Sequence, residues 1–435
     1  MRIAIIGTGI SGLTCAHLLH REHNVVLYEA NDYIGGHTHT VDVESQGRRL
    51  AIDTGFIVFN DWTYPNFISL LAELGVASQP TTMGFSVSCE NSGVEYSGSS
   101  LGSLFAQKRN FFRPSHYRML LDIYRFNQRA LRDYAELAEE TTIDEYLTAK
   151  RYSKAFAELY LLPMGAAIWS CPTATFRQFP IRFIIEFYKN HGLLSLANRP
   201  VWHVVQGGSR CYVDQLTQPF RGNIRLNSPV SRVTRHEEFV EVTSRGITEP
   251  YDEVIFASHA DQSLQMLAAP TTTEQEVLSE FPYGKNSAVL HTDTRLLPHR
   301  RSTWSSWNYR VRKNESRPSV TYNMNILQRI DAAETYCVTL NDDERIDPAL
   351  RLGTFKYSHP IFTTRRARMQ RRHAELIRKH RSSFCGAYWG NGFHEDGVTS
   401  ALRVCAAFGV TPSWQAPRET PRSTRSIETG VGHGN

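Results

Sequence analysis

Arg2-Ile3-Ala4-Ile5-Ile6-Gly7-Thr8-Gly9-Ile10-Ser11-Gly12, followed by Asn24-Val25-Val26-Leu27-Tyr28-Glu29, is the stretch that decides the fold. The apolar run over 2–6 reads as a buried strand, 10–21 as a helix and 24–28 as a second buried strand, a βαβ opening. The three glycines have separate physical tasks. Gly7 permits a tight turn, Gly9 lets backbone N–H groups approach a pyrophosphate, and Gly12 lets the helix pack closely on the strand. The helix N-terminus offers partial positive charge to phosphates, and Glu29 accepts hydrogen bonds from a ribose. The glycines alone would be a weak signal; with both strands and the acid in place they imply a dinucleotide site.

The 435 residues exceed one ordinary core, so two interleaved domains are expected. With 41% apolar and 21% charged residues, the chain has the composition of a globular protein with a large core. Its seven cysteines are scattered, odd in number and never in a CxxC, which excludes a disulfide framework or zinc site and suits a reducing, cytoplasmic setting. The glycines interrupt the apolar start, which therefore reads as a strand and not a signal peptide. No run of about 18 apolar residues suggests a transmembrane helix. Arg365–Arg381 reads as a basic helical stretch of net charge +7, leaving about −2 for the rest. It is either a solvated face or a peripheral contact with an anionic membrane. Nothing points to nucleic acid.

Residues 40–53 read as a hairpin with Gln46-Gly47 at the turn. From Pro65 to about Leu196 helix signals dominate (66–74, 116–139, 181–189), which marks a cap. Strand patterns return at 202–205, 224–226, 230–235, 239–243 and 251–257. Those at 287–292, 302–309, 319–323 and 336–340 are assigned to a cap sheet. A strand at 383–387, a glycine-rich loop and a helix over 398–408 close the pattern. The expected division is 1–64, 198–283 and 355–411 for a discontinuous nucleotide-binding domain and 65–197 with 284–354 for the cap. A disordered tail over 412–435 completes it.

Gly35-Gly36 comes shortly after Glu29, Asp53-Thr54-Gly55 follows the hairpin, and Gly386, Gly390, Gly392 and Gly397 surround Glu395-Asp396. On these residues the sequence resembles the flavin-dependent amine oxidase and phytoene desaturase superfamily, where a second diglycine and a C-terminal Gly-acid-Gly helix start hold FAD. The resemblance implies an α/β fold with an α+β cap. That is a Rossmann-like FAD-binding domain of the glutathione-reductase/amine-oxidase type, with an interleaved helical and sheet substrate domain. It sets Gly35 and Gly36 at the pyrophosphate and Val230 against the adenine. Gly392, Glu395, Asp396 and Gly397 fall near the ribityl chain and flavin ring. With Gly7, Gly9, Ile10, Ser11, Gly12, Glu29 and Gly55 these are the expected cofactor residues. His37 stands where the superfamily commonly has arginine, and is kept as a weaker contact. A helix starting at Gly397 would stabilise negative charge on a reduced flavin.

A closer resemblance covers roughly residues 1–410. Asp61-Trp62-Thr63-Tyr64-Pro65-Asn66, Leu104–Lys108, Ile168–Pro172, Asn190-His191, Arg199–Trp202, Phe384–Gly390 and Phe393–Gly397 carry it. Together they resemble the flavin domain that precedes the methyltransferase in plant cyclopropane fatty acid synthases, and its stand-alone bacterial NAD/FAD-binding counterparts. The methyltransferase part is lacking here. What the resemblance implies is oxidation or desaturation of an apolar, lipid acyl substrate.

Tyr388, Trp389, His394 and His191 are the catalytic candidates, with Trp169, Tyr188, Trp202 and His203 as further cavity-lining ones; aromatic walls exclude water and histidine moves protons near neutral pH. Packed aromatics and satisfied histidines are the plainer reading of each. Leu159–Trp169 reads as cap core in preference to an acyl channel, and Cys171 as an inert buried thiol. No third ligand accompanies His37 and His39, so no metal is expected. Gly98-Ser99-Ser100-Leu101-Gly102 matches a nucleophile elbow but falls in a Ser/Gly-rich turn, and reads as chance. The first function is an FAD oxidoreductase acting on an apolar small-molecule or lipid substrate. Its rivals are a strict amine oxidase and a non-redox flavoprotein partner of a separate lipid methyltransferase.

Overall fold

The computed structural model describes residues 1–169, 171–195, 198–313 and 319–414. The strand Arg2–Ile6 sits in the middle of a five-stranded sheet whose strands are all parallel. Asn24–Tyr28 and Ile224–Arg225 lie on one side; Glu253–Phe256 and Ser382–Phe384 lie on the other. Both faces of the strand are apolar because both are covered. Ile3 and Ile5 pack with the first and last helices, Ile10–Leu19 and His394–Ala407. Ala4 and Ile6 face the opposite core, shared with the antiparallel meander Val230–Arg235, Val240–Ser244 and Ile247–Tyr251. Each such isoleucine contributes about 1.5–3 kcal/mol by leaving water.

The glycines place the first helix. A Cβ on Gly12 would stand 2.1 Å from the Gly7 carbonyl oxygen, so only glycine lets the helix meet the turn. Gly397 does the same for the last helix, where a Cβ would stand 2.7 Å from Ile10 Cγ2. The last helix starts at His394, not near Gly397, because Asp396 accepts from the Phe393 amide and caps it early.

The cap has its own seven-stranded sheet, ordered Arg351–Pro360, Tyr283–His291, Cys337–Leu340, Ser319–Asn323, Trp307–Val311, Phe85–Cys89 and Val94–Ser97. Its last two strands come from the segment expected to be helical, and Arg351–Pro360 runs past the boundary expected at 354. Short strands with polar alternation are hard to tell from loop in a sequence. The expected strand over 302–309 begins only at Trp307, after a turn of 3-10 helix at Arg301–Thr303. The cap helices Pro65–Glu73, Pro114–Glu136 and Ile181–Asn190 lie where the periodicity places them. Most of the expected tail, 415–435, lies outside the described residues.

The basic stretch is not a continuous helix. Only Arg366–Gln370 is α-helical, followed by a 3-10 turn at His373–Leu376. Its arginines largely turn to carboxylates of the fold: Arg365 to Glu280 at 2.9 Å, Arg371 to Glu139 at 3.3 Å, Arg372 to Glu276 at 2.8 Å, Arg378 to Glu253 at 3.1 Å. Among the described residues no helix is long and apolar enough to cross a membrane.

Candidate active site

One cavity of about 1540 Å³ runs between the parallel sheet and the cap. That exceeds the usual 300–1,000 Å³ of a single-ligand pocket and gives room for a cofactor and a substrate together. At one end the walls are Gly7, Gly9, Ile10, Ser11, Glu29, Gly35 and Gly36. Gly7 at φ +106 makes the turn out of the first strand, and Gly36 at φ +60 brings its backbone against Gly9. A Cβ on Gly9 would meet nothing within 4 Å among the described residues, so this residue borders the cavity's open space. The helix behind it has no side-chain cap and no acid in its first turn, which leaves its N–H groups for an anion. Glu29 is buried yet lines the cavity. Val230 lines it beside Ser228 and Ser231, an apolar edge for a flat base. These features fit a dinucleotide.

Toward the middle stand Gly55, Gly392, Tyr388 and His394. Gly55 is held by close approach, since a Cβ there would stand 2.1 Å from the His37 carbonyl oxygen. His394 stacks on Phe56 with ring centroids 3.5 Å apart, and its Nε2 lies 2.9 Å from Thr38 Oγ1 and 3.1 Å from Tyr212 Oη. Burial pushes its imidazole well below the ordinary range, so it is neutral and fixed in place. Tyr388 is buried, its ring beside that of Trp389.

Three further histidines meet here. His37 lies 5.4 Å from His359 and 6.2 Å from His259, centroid to centroid, and all three line the cavity. Burial holds His37 and His259 down at about 4 and His359 at about 3. A neutral cluster replaces the positive charge an arginine would bring at position 37. His259 and His359 carry no sequence signal, because only the fold brings them to His37.

Several expected residues are elsewhere. Glu395 accepts from the backbone amides of Asn66 and Phe67 at 3.1 and 2.9 Å, which anchors the start of the helix Pro65–Glu73. Asp396 caps its own helix, and burial raises its carboxyl to about 6. Both line a smaller, adjoining hollow with Trp62 and Lys189, which shares His191 and Phe393 with the main cavity. Gly12 and Gly397 are packing positions, as above. Trp389 does not line the main cavity; it stacks on His373 at 4.0 Å. Trp169, Tyr188 and His203 also lie outside it, the first two in the cap core and His203 on the strand Trp202–Val205. Trp202 and His191 do line it. His191 stacks on Phe187 at 3.8 Å and burial lowers it to about 4. The Cys171 thiol is pushed up to about 12 by burial, an unreactive state. Ser100 caps the short helix Leu101–Leu104 through Ser103, so its hydroxyl serves as a helix cap.

The arginine stretch holds the loop after Tyr388, beside the middle of the cavity, which the sequence did not disclose. Arg366, buried against Phe183 and Phe362, donates to the Gly390 carbonyl and to Asn391 Oδ1. Gln370 donates to the carbonyls of Tyr388 and Gly390, each at 2.7 Å. Desolvation brings the Arg366 guanidinium down to about 9.

Beyond His191 the cavity continues as an apolar arm through the cap. Tyr160, Met164 and Ile168, four residues apart, form one wall, while Leu161, Leu162 and Ala166 on the other faces are core. Leu159–Trp169 is thus core and cavity wall together, where the sequence favoured core over a channel. Pro163 cannot donate to the Leu159 carbonyl, and the helix responds with a π turn at Ala157–Leu161. Tyr96 Oη fills the vacant place, donating to Leu159 O at 2.7 Å. Leu104, Leu120, Ile123 and Leu193 complete the arm.

Comparison with known proteins agrees with this geometry. Over 94% of its length the chain is similar to a fatty acid isomerase from P. acnes, described as producing CLA (TM-score 0.67, 15% identity, 98% of that chain). Cyclohexylamine oxidase from Brevibacterium oxydans is similar over 93% (TM-score 0.64, 15% identity, 98% of that chain). A putrescine oxidase bound to putrescine is similar over 94% (TM-score 0.61, 16% identity, 99% of that chain). At such identities the likeness is one of fold. No curated protein matches significantly. The flavin containing amine oxidoreductase family, however, matches residues 10–323, most of the chain. With that match and a dinucleotide cradle in place, the chain belongs to the flavin-containing amine oxidoreductase family, an enzyme whose cofactor is FAD.

Proposed function

We propose that this oxidoreductase removes hydrogen from the acyl chain of a lipid. The apolar arm carries the reading. Its walls are mainly aliphatic and aromatic, and among the described residues the only carboxylate lining the whole cavity is Glu29, at the nucleotide end. Among the described residues a cationic amine would find no acidic partner along the arm, whereas Lys356 and Arg199 on the cavity wall suit an anionic head group. FAD supplies the hydride acceptor when bound. The chain's own residues orient an acyl chain along Tyr160, Met164 and Ile168, exclude water, and present neutral imidazoles at His37, His259 and His359 that can take up a proton. The two hydrogens leave as hydride and proton, and oxygen or another acceptor reoxidises the cofactor.

The resemblance to the flavin domain of plant cyclopropane fatty acid synthases supports an acyl substrate. A structurally similar protein described as a fatty acid isomerase is consistent with it too. Aerobic incubation with phospholipids and free fatty acids, followed by mass spectrometry, tests the reading. Loss of a hydrogen pair from an acyl chain supports it. Turnover of amines alone would replace it with the strict amine oxidase, and no redox turnover at all with a methyltransferase-partner role.

A further inference from the structure

We propose that the face built by residues 101–132 docks on an anionic lipid bilayer, bringing the apolar arm of the cavity to the membrane. The proposal takes its purpose from the acyl-chain reading; its test does not depend on it.

The helix Pro114–Glu136 buries Met119, Phe126 and Ala130 as an amphipathic helix should. Its outer side is unusual. Tyr117, Leu121, Tyr124 and Leu131 recur at helical spacing and stay exposed, at 47%, 57%, 59% and 46%. Ahead of them Leu101 and Phe112 are 79% and 87% exposed. Single exposed apolar residues are ordinary; a run along one face marks a contact surface.

The helix geometry relates this stripe to the cavity. Leu120, Ile123 and Asn127, on one flank of the stripe, line the arm, and Tyr124 belongs to both, lining the cavity while being exposed. On the other flank stand Arg118, Arg125, Arg129 and Arg132. Charge selects the occupant. Between 101 and 132 there are seven Lys/Arg and one acid, Asp122, which is buried. Asp122 pairs with Arg118 and Arg125. Lys108, Arg113, Arg129 and Arg132 have no ion pair among the described residues. Two copies meeting on this face would oppose like charges, whereas an anionic bilayer answers both the cations and the apolar stripe.

Co-sedimentation with vesicles tests the proposal, comparing phosphatidylcholine alone with phosphatidylcholine containing phosphatidylserine, at low and high salt. The full chain should bind the anionic vesicles at least about tenfold more tightly, and less so as salt rises. Phe112→Ser/Leu121→Ser and Arg129→Glu/Arg132→Glu should each lose about tenfold while retaining FAD, a check on folding. Equal binding by the variants and the parent would overturn the proposal. So would equal binding to the two vesicle types, or a doubling of mass by light scattering that Phe112→Ser/Leu121→Ser abolishes. Acyl turnover without vesicle preference overturns the docking face alone; vesicle binding without acyl turnover supports the face and overturns the proposed reaction.

Discussion

Thr8 donates to Glu29 twice, from its amide at 3.1 Å and from its hydroxyl at 2.5 Å, and both bonds end on the same carboxylate oxygen. The other oxygen accepts from the Asn31 amide at 2.9 Å. The glycine turn thus positions the acid, and the acid holds the turn. Glu29→Ala should weaken FAD binding roughly ten- to a hundredfold, the scale of a lost charge-assisted hydrogen bond of about 1.5–3 kcal/mol. Thr8 would also lose its buried acceptor, so the apoprotein should melt earlier. Flavin titration by fluorescence quenching reads the first effect and thermal denaturation without FAD the second.

Gly9 and Gly12 separate cofactor binding from folding. Nothing among the described residues lies within 4 Å of a Cβ on Gly9, so Gly9→Ala should cost less than about 1 kcal/mol of stability, the scale of a cap change, yet obstruct the phosphates. Gly12→Ala drives a Cβ into the Gly7 carbonyl and should destabilise the fold by about 1–3 kcal/mol or more. Denaturant melts beside flavin content distinguish them: a folded, colourless Gly9→Ala and a destabilised Gly12→Ala are expected.

Acid should weaken the fold before it protonates ordinary carboxylates. Folded, His37, His191, His259, His291 and His373 titrate at about 4 and His359 at about 3. Unfolded, a histidine titrates near about 6.5. Between those values the unfolded chain binds the extra protons, so stability falls as pH drops from about 6.5 toward 4. Asp53 and Asp396, raised to about 6 by burial, act oppositely: the stability they add is lost as pH rises through 6. Six histidines against two carboxyls make a net loss on acidification the expected result. A melting temperature that stays level from pH 7 to about 4.5 would contradict it.

Ser100 should be dispensable for chemistry. As the cap of Leu101–Leu104 it contributes about 0.5–2 kcal/mol at most, so Ser100→Ala should lower stability slightly and leave turnover unchanged. A serine-directed fluorophosphonate probe should not label it.

The opening βαβ unit was legible because every requirement there is local: an apolar run, three glycines and an acid at fixed spacing. The hairpin turn at Gln46-Gly47, both at positive φ, was legible for the same reason. The histidine cluster was not, since His37, His259 and His359 lie on segments far apart in the chain. Glu395 misled because an acid at a helix start looks alike whether it serves a ligand or, as here, the amides of a neighbouring helix. Arg366 misled because a run of arginines reads as surface charge, while the fold buries this one against two phenylalanines to hold the Gly390 loop. The apolar arm shares a helix with core residues, and composition alone does not divide the faces of that helix.

The most direct test of the acyl-chain account is anaerobic reduction of the bound flavin, followed by loss of its visible absorbance. Holoenzyme is mixed separately with long-chain acyl lipids and with aliphatic amines, for the parent and for Ile123→Trp, which narrows the arm. The account predicts bleaching by acyl lipids, little by amines, and a fall of about tenfold or more in the acyl rate for Ile123→Trp with FAD still bound. Bleaching by amines but not by any acyl lipid, or an acyl rate unaffected by Ile123→Trp, would contradict it.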